Sequence, residues 1–429
     1  MPASPARAAA FEILLRIETT DAYASEMLHS SRFAKLSPAD HGLLTELVMG
    51  VLRWRGLLDT KIAGRSSQPL AKLDVEVLTA LRLGAYQIFF LDRVPKHAAV
   101  NESVELVKSA HKRSAAGLVN AVLRKIEREE FPLGDGSSHP QWLVERWAHS
   151  YGADAAAKIC AYDQVEPRPV VRLIDEALLA ELRNEAIELE PGKLLSTAFT
   201  VKSGDVTATK AFRERRGMIQ DEGSQLVALL VGRGKNILDC CAAPGGKARI
   251  IAERNPEAMV LAMELHPQRA ALLRRLVTAE NVRVVAADVR NMPVTGDFDR
   301  VLVDAPCSGT GTLARNPEIK WRLKAEDLSR LQEYQVEILR AAMKHVSRGG
   351  RIVYSTCSLE AEENERVIEK ALTGNSSFHV VNCRDKIEGL RASSDLIWGA
   401  DSLVSGPYLR TIPGVHPCDG FFAAVIARE

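Results

Sequence analysis

The stretch Asn236-Ile237-Leu238-Asp239-Cys240-Cys241-Ala242-Ala243-Pro244-Gly245-Gly246-Lys247 decides the fold. Asn236 to Cys240 is a short apolar run of strand length, and it feeds directly into a glycine turn and then a helix. The glycines let the backbone turn tightly and approach a ligand closely. The spacing departs from the Gly-x-Gly-x-x-Gly of dinucleotide-binding folds, and Pro244 occupies part of the turn. Downstream the pattern alternates. Ala258 to Leu265, Asn281 to Ala286, Arg300 to Val303 and Gly350 to Tyr354 read as further strands, with helices over Pro267 to Ala279 and Ala325 to His345. Such alternation predicts an α/β, Rossmann-like domain over residues 217–429, a mostly parallel sheet covered by helices on both faces. Ligands in that architecture sit at the carboxyl ends of the strands.

Upstream the grammar differs. Ala10, Ile13, Leu14 and Ile17 share one helix face, as do Leu44, Leu47, Val48 and Val51 behind the capping run Ser37-Pro38-Ala39-Asp40. Further apolar faces run from Val77 through Phe90 and from Val119 through Ile126, with no strand pattern between. Residues 1–133 therefore read as an all-α domain. Gly134-Asp135-Gly136-Ser137-Ser138 is a breaker cluster and the first boundary. Residues 140–216 read as a small α+β connecting unit: Leu143, Trp147 and Tyr151 at helical spacing, then strand candidates at Val170 to Ile174 and Ala198 to Lys202.

The chain has 429 residues, 46% hydrophobic and 26% charged, which suits two or three globular domains and excludes a disordered tail or a disulfide-stapled miniprotein. No apolar run reaches the length of a membrane-spanning helix. In Met1 to Arg16, Arg7, Glu12 and Arg16 interrupt any secretory signal. Seven scattered cysteines fit a reducing cytoplasm. A net charge of +1 leaves nucleic-acid binding open, since a basic face can hide in a neutral total.

Acids follow successive strands. Glu264 ends the second, where a ribose-binding carboxylate is expected. Asp288 follows the third, placed to meet an adenine edge, and Asp304 ends the fourth. Singly, each is as readily a solvated loop end, and Gly-Gly after a strand is as readily a plain tight turn. Jointly they favour a nucleoside over a polyphosphate, and S-adenosylmethionine over NAD. The cofactor pocket is thus expected to comprise Cys241, Ala242, Ala243, Pro244, Gly245, Gly246, Lys247, Glu264, Asp288 and Asp304. Cys307 and Cys357 lie in polar loops after strands four and five, at that same sheet edge. Cys160 and Cys383 read as inert packing residues. With no Cys-x-x-Cys partner for either loop cysteine, no metal is expected.

Four further runs complete the picture: Asp304-Ala305-Pro306-Cys307-Ser308, Asn316-Pro317-Glu318-Ile319-Lys320-Trp321, Tyr354-Ser355-Thr356-Cys357-Ser358, and Glu362-Glu363-Asn364. With Leu238 to Lys247 they resemble the Sun family of RNA cytosine-C5 methyltransferases. Leu83-Gly84-Ala85-Tyr86-Gln87, with Val94-Pro95 and Ala99-Val100-Asn101-Glu102, is similar to NusB-like RNA-binding domains, and this domain pairing is typical of the family's bacterial 16S ribosomal RNA branch. The one departure near the cofactor is Glu264, where Asp is commoner.

The resemblance implies a class I methyltransferase domain in which Cys357 attacks cytosine C6, while Cys307 assists release of the product. Sequence position alone does not say which thiol attacks. Asp304 would meet the N3/N4 edge of the base. Lys247 would favour thiolate and offset charge, although a solvated first-turn lysine is at least as good a reading. The implied partner is 16S ribosomal RNA, bound by a monomer. Arg53, Arg55, Lys112, Arg113, Arg124, Lys125 and Arg128 are candidate phosphate contacts, and Arg213, Arg215 and Arg216 form a tighter basic cluster. The rival readings are a transfer-RNA or multisite cytosine-C5 methyltransferase, and a non-catalytic RNA-binding assembly factor.

Overall fold

Ser37 Oγ accepts a hydrogen bond from the Asp40 amide at 3.1 Å, Pro38 fills the first turn, and a 26-residue helix follows. Cap, proline and acid act there together. The computed structural model describes residues 3–173, 175–293 and 296–429. Met1, at the start of the stretch read for a signal, and Ile174, at the end of an expected strand, lie outside the described residues.

The chain forms two compact units. The first comprises Met1–Glu166 and Leu313–Arg322. Its principal helices are α1 (Pro5–Thr19), α2 (Pro38–Ala63), α3 (Val75–Phe90), α4 (Lys96–Ser109), α5 (Ala116–Arg124), α6 (Gln141–Tyr151) and α7 (Ala153–Gln164). The apolar faces anticipated from spacing are the buried ones: Ala10, Ile13, Leu14, Leu44, Leu47, Val48 and Val51 all lie in one core. Each large side chain so buried contributes roughly 1.5–3 kcal/mol. Gln164 of α7 accepts from the Gly134 amide at 2.7 Å and donates to Ser138 Oγ at 2.8 Å, tying that helix back to the breaker turn.

The segment Leu313–Arg322 is locked into this unit by polar contacts. Lys320 Nζ donates to the Arg53 carbonyl at 2.9 Å, Trp321 Nε1 to the Leu52 carbonyl at 2.7 Å, and Arg53 Nη2 to the Ala314 carbonyl at 3.2 Å. Glu318 accepts from the Ala24 amide at 3.0 Å. Arg53 is therefore no part of a phosphate-binding face: it is 5% exposed, and burial lowers its pKa. Arg55, Lys112 and Arg128 are paired with Glu18, Asp74 and Asp92 at 2.6, 2.9 and 2.6 Å.

The second unit comprises Pro167–Thr312 and Leu323–Glu429. A small antiparallel sheet, β1 (Val170–Arg172), β2 (Glu188–Pro191), β3 (Ala198–Ser203) and β4 (Met218–Ile219), runs in the order β2-β3-β1-β4. Helix α8 (Glu176–Asn184) shares a core with it through Leu178, Leu182, Val171 and Val201. Then come α9 (Glu222–Leu230), β5 (Asn236–Asp239), α10 (Gly246–Arg254), β6 (Met259–Glu264), α11 (Pro267–Leu276), β7 (Val282–Ala286), β8 (Phe298–Asp304), α12 (Ala325–Met343), β9 (Val346–Thr356) and α13 (Glu365–Leu372). The five strands anticipated from sequence are β5 to β9, and they pair in parallel. Four more follow: β10 (Phe378–Val381), β11 (Val404–Ser405), β12 (Tyr408–Thr411) and β13 (Phe421–Arg428). The sheet order is β11-β12-β13-β9-β8-β5-β6-β7, with β10 against β13. β13 runs antiparallel to β9, so the domain is a mixed sheet with a parallel centre.

Candidate active site

Gly245 governs the turn after β5. Its φ is +119°, and a Cβ there would stand 2.5 Å from Val277 and 2.7 Å from Leu273 of α11. Only glycine fits both the conformation and the space. The turn delivers Lys247 to the first turn of α10, where its Nζ lies 2.7 Å from Asp304 Oδ2 at the end of β8. The solvated alternative for Lys247 fails, because its side chain is 12% exposed. Burial works against the ammonium, but Asp304, Cys357 and Asp239 outweigh it and hold the pKa above its ordinary value. Asp304 Oδ1 accepts from Ser355 Oγ at 2.8 Å, which orients the carboxylate between two strands.

Cys307 Sγ and Cys357 Sγ are 3.4 Å apart. The loops that carry them are fastened to each other. Glu363, buried, accepts from the Ser308 amide at 2.8 Å, from Gln335 Nε2 at 2.9 Å, and from the hydroxyls of Ser308 and Ser358. The Gly311 amide donates to the Cys357 carbonyl at 2.9 Å, and the Gly420 amide to the Gly311 carbonyl at 2.7 Å. A Cβ on Gly311 would stand 2.3 Å from the Gly420 oxygen, so this approach requires glycine. The hydrogen bond to Cys357, together with burial, pushes the Cys307 thiol well up, so Cys307 holds its proton.

Two cavities meet at Cys241, Ala243 and Asp304. The first, about 360 Å³, is lined by Glu264, Asp288, Pro306, Tyr334 and both loop cysteines. Glu264 is 4% exposed and accepts from the His266 amide at 3.0 Å. Asp288 lines this cavity. Its carboxylate is engaged by Arg290, with Nη2 to Oδ2 at 2.7 Å. The second cavity, about 370 Å³, is lined by Ala242, Pro244, Gly245, Gly246 and Lys247. The expected cofactor residues are thus divided between two adjoining spaces. Cys240 is buried and Cys241 half-buried, and desolvation raises the pKa of both thiols. Among the described residues no group of three or more His, Cys, Asp or Glu is arranged to hold a metal ion.

Three residues escaped the sequence reading of the site. Asp239 ends β5 with both carboxylate oxygens buried and only the Cys241 amide to steady its charge by hydrogen bonding, and Gln220 Oε1 is buried and unpartnered. Nothing in a lone acid at a strand end, or a glutamine before a helix, signals that state. Glu363 was legible only as part of a motif.

The chain matches three family models: 16S rRNA methyltransferase RsmB/F over residues 227–427, the NusB family over 4–128, and an RsmF/B-like ferredoxin-like domain over 139–207. It is 36% identical to a probable ribosomal RNA small subunit methyltransferase B of Bacillus subtilis, with 100% of both chains covered. It is 30% identical to the ribosomal RNA small subunit methyltransferase B of Xanthomonas campestris, covering 91% of this chain and 90% of that one. The crystal structure of PH0851 is similar in fold, with a TM-score of 0.79, 23% identity and 99% of each chain covered.

Proposed function

Because the chain belongs to the 16S rRNA methyltransferase RsmB/F family, we propose that it methylates cytosine C5 in 16S ribosomal RNA through a covalent adduct with Cys357, acting as a cytoplasmic monomer. The observation that carries the reading is the 3.4 Å thiol pair lining the nucleoside-sized cavity. A non-catalytic assembly factor has no use for two apposed thiols held by one buried carboxylate. A transfer-RNA or multisite enzyme would share the pair, and here the family match favours ribosomal RNA.

The cavity suits S-adenosylmethionine. Glu264 offers a buried carboxylate of which the His266 amide takes one oxygen, leaving acceptor capacity for ribose hydroxyls, while Pro306, Ile338 and Tyr334 give apolar surface for a ring. When bound, S-adenosylmethionine supplies an electrophilic methyl group. Cytosine C5 is too weak a nucleophile to take it unaided. Addition of Cys357 Sγ to C6 breaks the conjugation and makes C5 enamine-like, dividing one hard step into easier ones. Lys247, held by Asp304, places a cation where the ring gains negative charge, and Asp304 faces the N3/N4 edge. Cys307, whose thiol holds its own proton, orients the water that takes the C5 proton as the C6–S bond breaks and Cys357 leaves as thiolate. The base must be unstacked to reach the site.

The thiol roles are separable on a denaturing gel. Cys357→Ala should abolish methyl transfer and form no adduct with RNA. Cys307→Ala should accept the methyl group and stall, leaving a protein–RNA species that requires S-adenosylmethionine. Trapping by Cys357→Ala alone would reverse the roles, and full activity of both variants would end the covalent mechanism.

A further inference from the structure

The thiols stand at the carboxyl edge of the parallel strands, and positive charge collects at the opposite edge. Arg300 of β8 and Arg351 of β9 are direct partners in the parallel register. Leu302 and Val353 share a core with Ile387 of helix α14 (Arg384–Ala392). Side chains alternate along a strand, so both arginines lie on the face that α14 covers. Burial, then Arg351 and Arg300, lower the pKa of Lys386 on that helix. Among the described residues none of these three cations forms an ion pair. Arg300 donates through Nη1 to the Asp299 carbonyl at 2.6 Å, and its Nε is buried without a partner. The Asp299 carboxylate accepts from the Lys235 and Asn236 amides at 2.8 and 3.3 Å. Like charges opposite one another on neighbouring strands destabilise a sheet. In the helical unit, by contrast, Arg55, Lys112 and Arg128 each have a carboxylate. Beside Lys386 a cavity of about 330 Å³ adds Arg233. Its other arginine, Arg254, is committed to Asp395 at 2.9 Å, and Asp385 on its lining pairs with none of these cations. On the other face of the same edge, a cavity of about 380 Å³ is lined by Arg340, Lys344 and Arg428, and among the described residues by no carboxylate. An edge that keeps unneutralised cations on both faces, with room beside them, complements a chain of phosphates.

We propose that this amino edge of the sheet binds the phosphate backbone of the substrate RNA, at a site separate from the catalytic edge, with Arg300, Arg351 and Lys386 at its centre. Along β9 the path from Arg351 to Cys357 is about 20 Å, at about 3.3 Å per residue. The RNA held here is therefore a part of the molecule beyond the target nucleotide. Phosphate contacts of this kind fix register and orientation and read no sequence. The proposal rests on the reading of the chain as a methyltransferase of 16S ribosomal RNA.

The test compares the full-length parent with a double variant, Arg351→Met with Lys386→Met, which removes two charges and keeps the aliphatic stems. Binding to a long 16S ribosomal RNA transcript is followed by filter retention from about 0.05 to 0.3 M salt. The slope of log affinity against log salt should become shallower by about 1–2, and affinity at about 0.1 M salt should fall about tenfold. The double variant should melt at or above the parent, because repulsion leaves with the charges. Its affinity for S-adenosylmethionine should stay within twofold of the parent. So should its methylation of a short hairpin carrying the cytosine located by bisulfite sequencing, an RNA too small to reach this edge. An unchanged salt slope with the long transcript overturns the proposal. So does a lower melting temperature, which would mean that the folded chain already neutralises these cations. If inorganic phosphate raises the melting temperature of the parent alone while RNA binding is equal for both proteins, the cluster holds a free anion and the proposal falls. A parent that methylates neither transcript nor hairpin overturns the underlying reading, and the RNA site with it.

Discussion

Replacing Asp239 by Asn should change how stability depends on pH, and the structure fixes both sign and size. The carboxyl ends β5 and is 1% exposed, and only the Cys241 amide offsets its charge by hydrogen bonding. Burial first, and then the charge of Asp304, push its pKa from 3.8 to about 7. The unfolded chain ionises this group near the lower value and the folded chain near the upper one. Between them the folded state holds the extra proton, so stability falls as pH rises and levels off above about 7. A shift of this size corresponds to about 4 kcal/mol at about 1.4 kcal/mol per unit, and relaxation of the folded chain around the buried charge reduces it to about 2–4 kcal/mol. Asn cannot ionise. Urea unfolding of parent and Asp239→Asn, followed by circular dichroism from pH 4.5 to 8.5 without cofactor, should show the variant gaining about 2–4 kcal/mol on the parent across that range. The constant cost of the substitution cancels in this comparison. Parallel pH profiles would refute the reasoning, because they would mean that Asp239 is ionised at the same pH folded and unfolded.

Two further outcomes test the site's architecture. Glu264→Ala should weaken S-adenosylmethionine binding by about 1–3 kcal/mol, the cost of losing a charged acceptor, and unchanged affinity in calorimetric titration would remove Glu264 from the ribose. Glu363→Ala strands four donors from Ser308, Ser358 and Gln335 and should cost about 3 kcal/mol of stability, with Glu363→Gln losing less. If the alanine variant melts with the parent, the carboxylate does not hold the two cysteine loops together.

The parallel centre of the sheet was legible because each strand there announces itself. Apolar runs of strand length alternate with helical patterns, and the fold follows from the alternation. The antiparallel extension was not. β13, buried at Phe421 through Ile426, lacks the two-residue alternation of a half-solvated strand, and β11 and β12 are too short to show a period. Within the site, residues at strand ends were found because position alone places them: Glu264, Asp304, Cys307 and Cys357 all reach one edge. Their electrostatic state was not legible. Whether Lys247 was solvated depended on Asp304, 57 residues away, and how far Asp239 was desolvated depended on every element around it. Charge in the helical unit misled for the same reason. Arg53 reads as a surface base, yet the Ala314 carbonyl that its guanidinium satisfies lies 261 residues further along the chain.

That long reach bears on how the chain can be divided. The Cys307 loop runs to Thr312, and from Leu313 to Arg322 the backbone belongs to the helical unit. Lys320 is fully buried there, with its pKa lowered by burial to about 7, and its ammonium is satisfied by the Arg53 carbonyl. Trp321 gives its indole N–H to Leu52. A chain cut at Gly134–Ser138 would leave both without these partners, and an orphaned buried polar group costs about 1–3 kcal/mol. The Asn316 to Trp321 motif therefore has a physical reason independent of cofactor or base: it ties Leu313–Arg322 into the helical unit. Within the second unit, Glu363 and Gly311 fasten the Cys307 loop to the Cys357 loop. Two cysteine loops fastened to each other in this way have little freedom, which is what holding two sulfur atoms 3.4 Å apart requires.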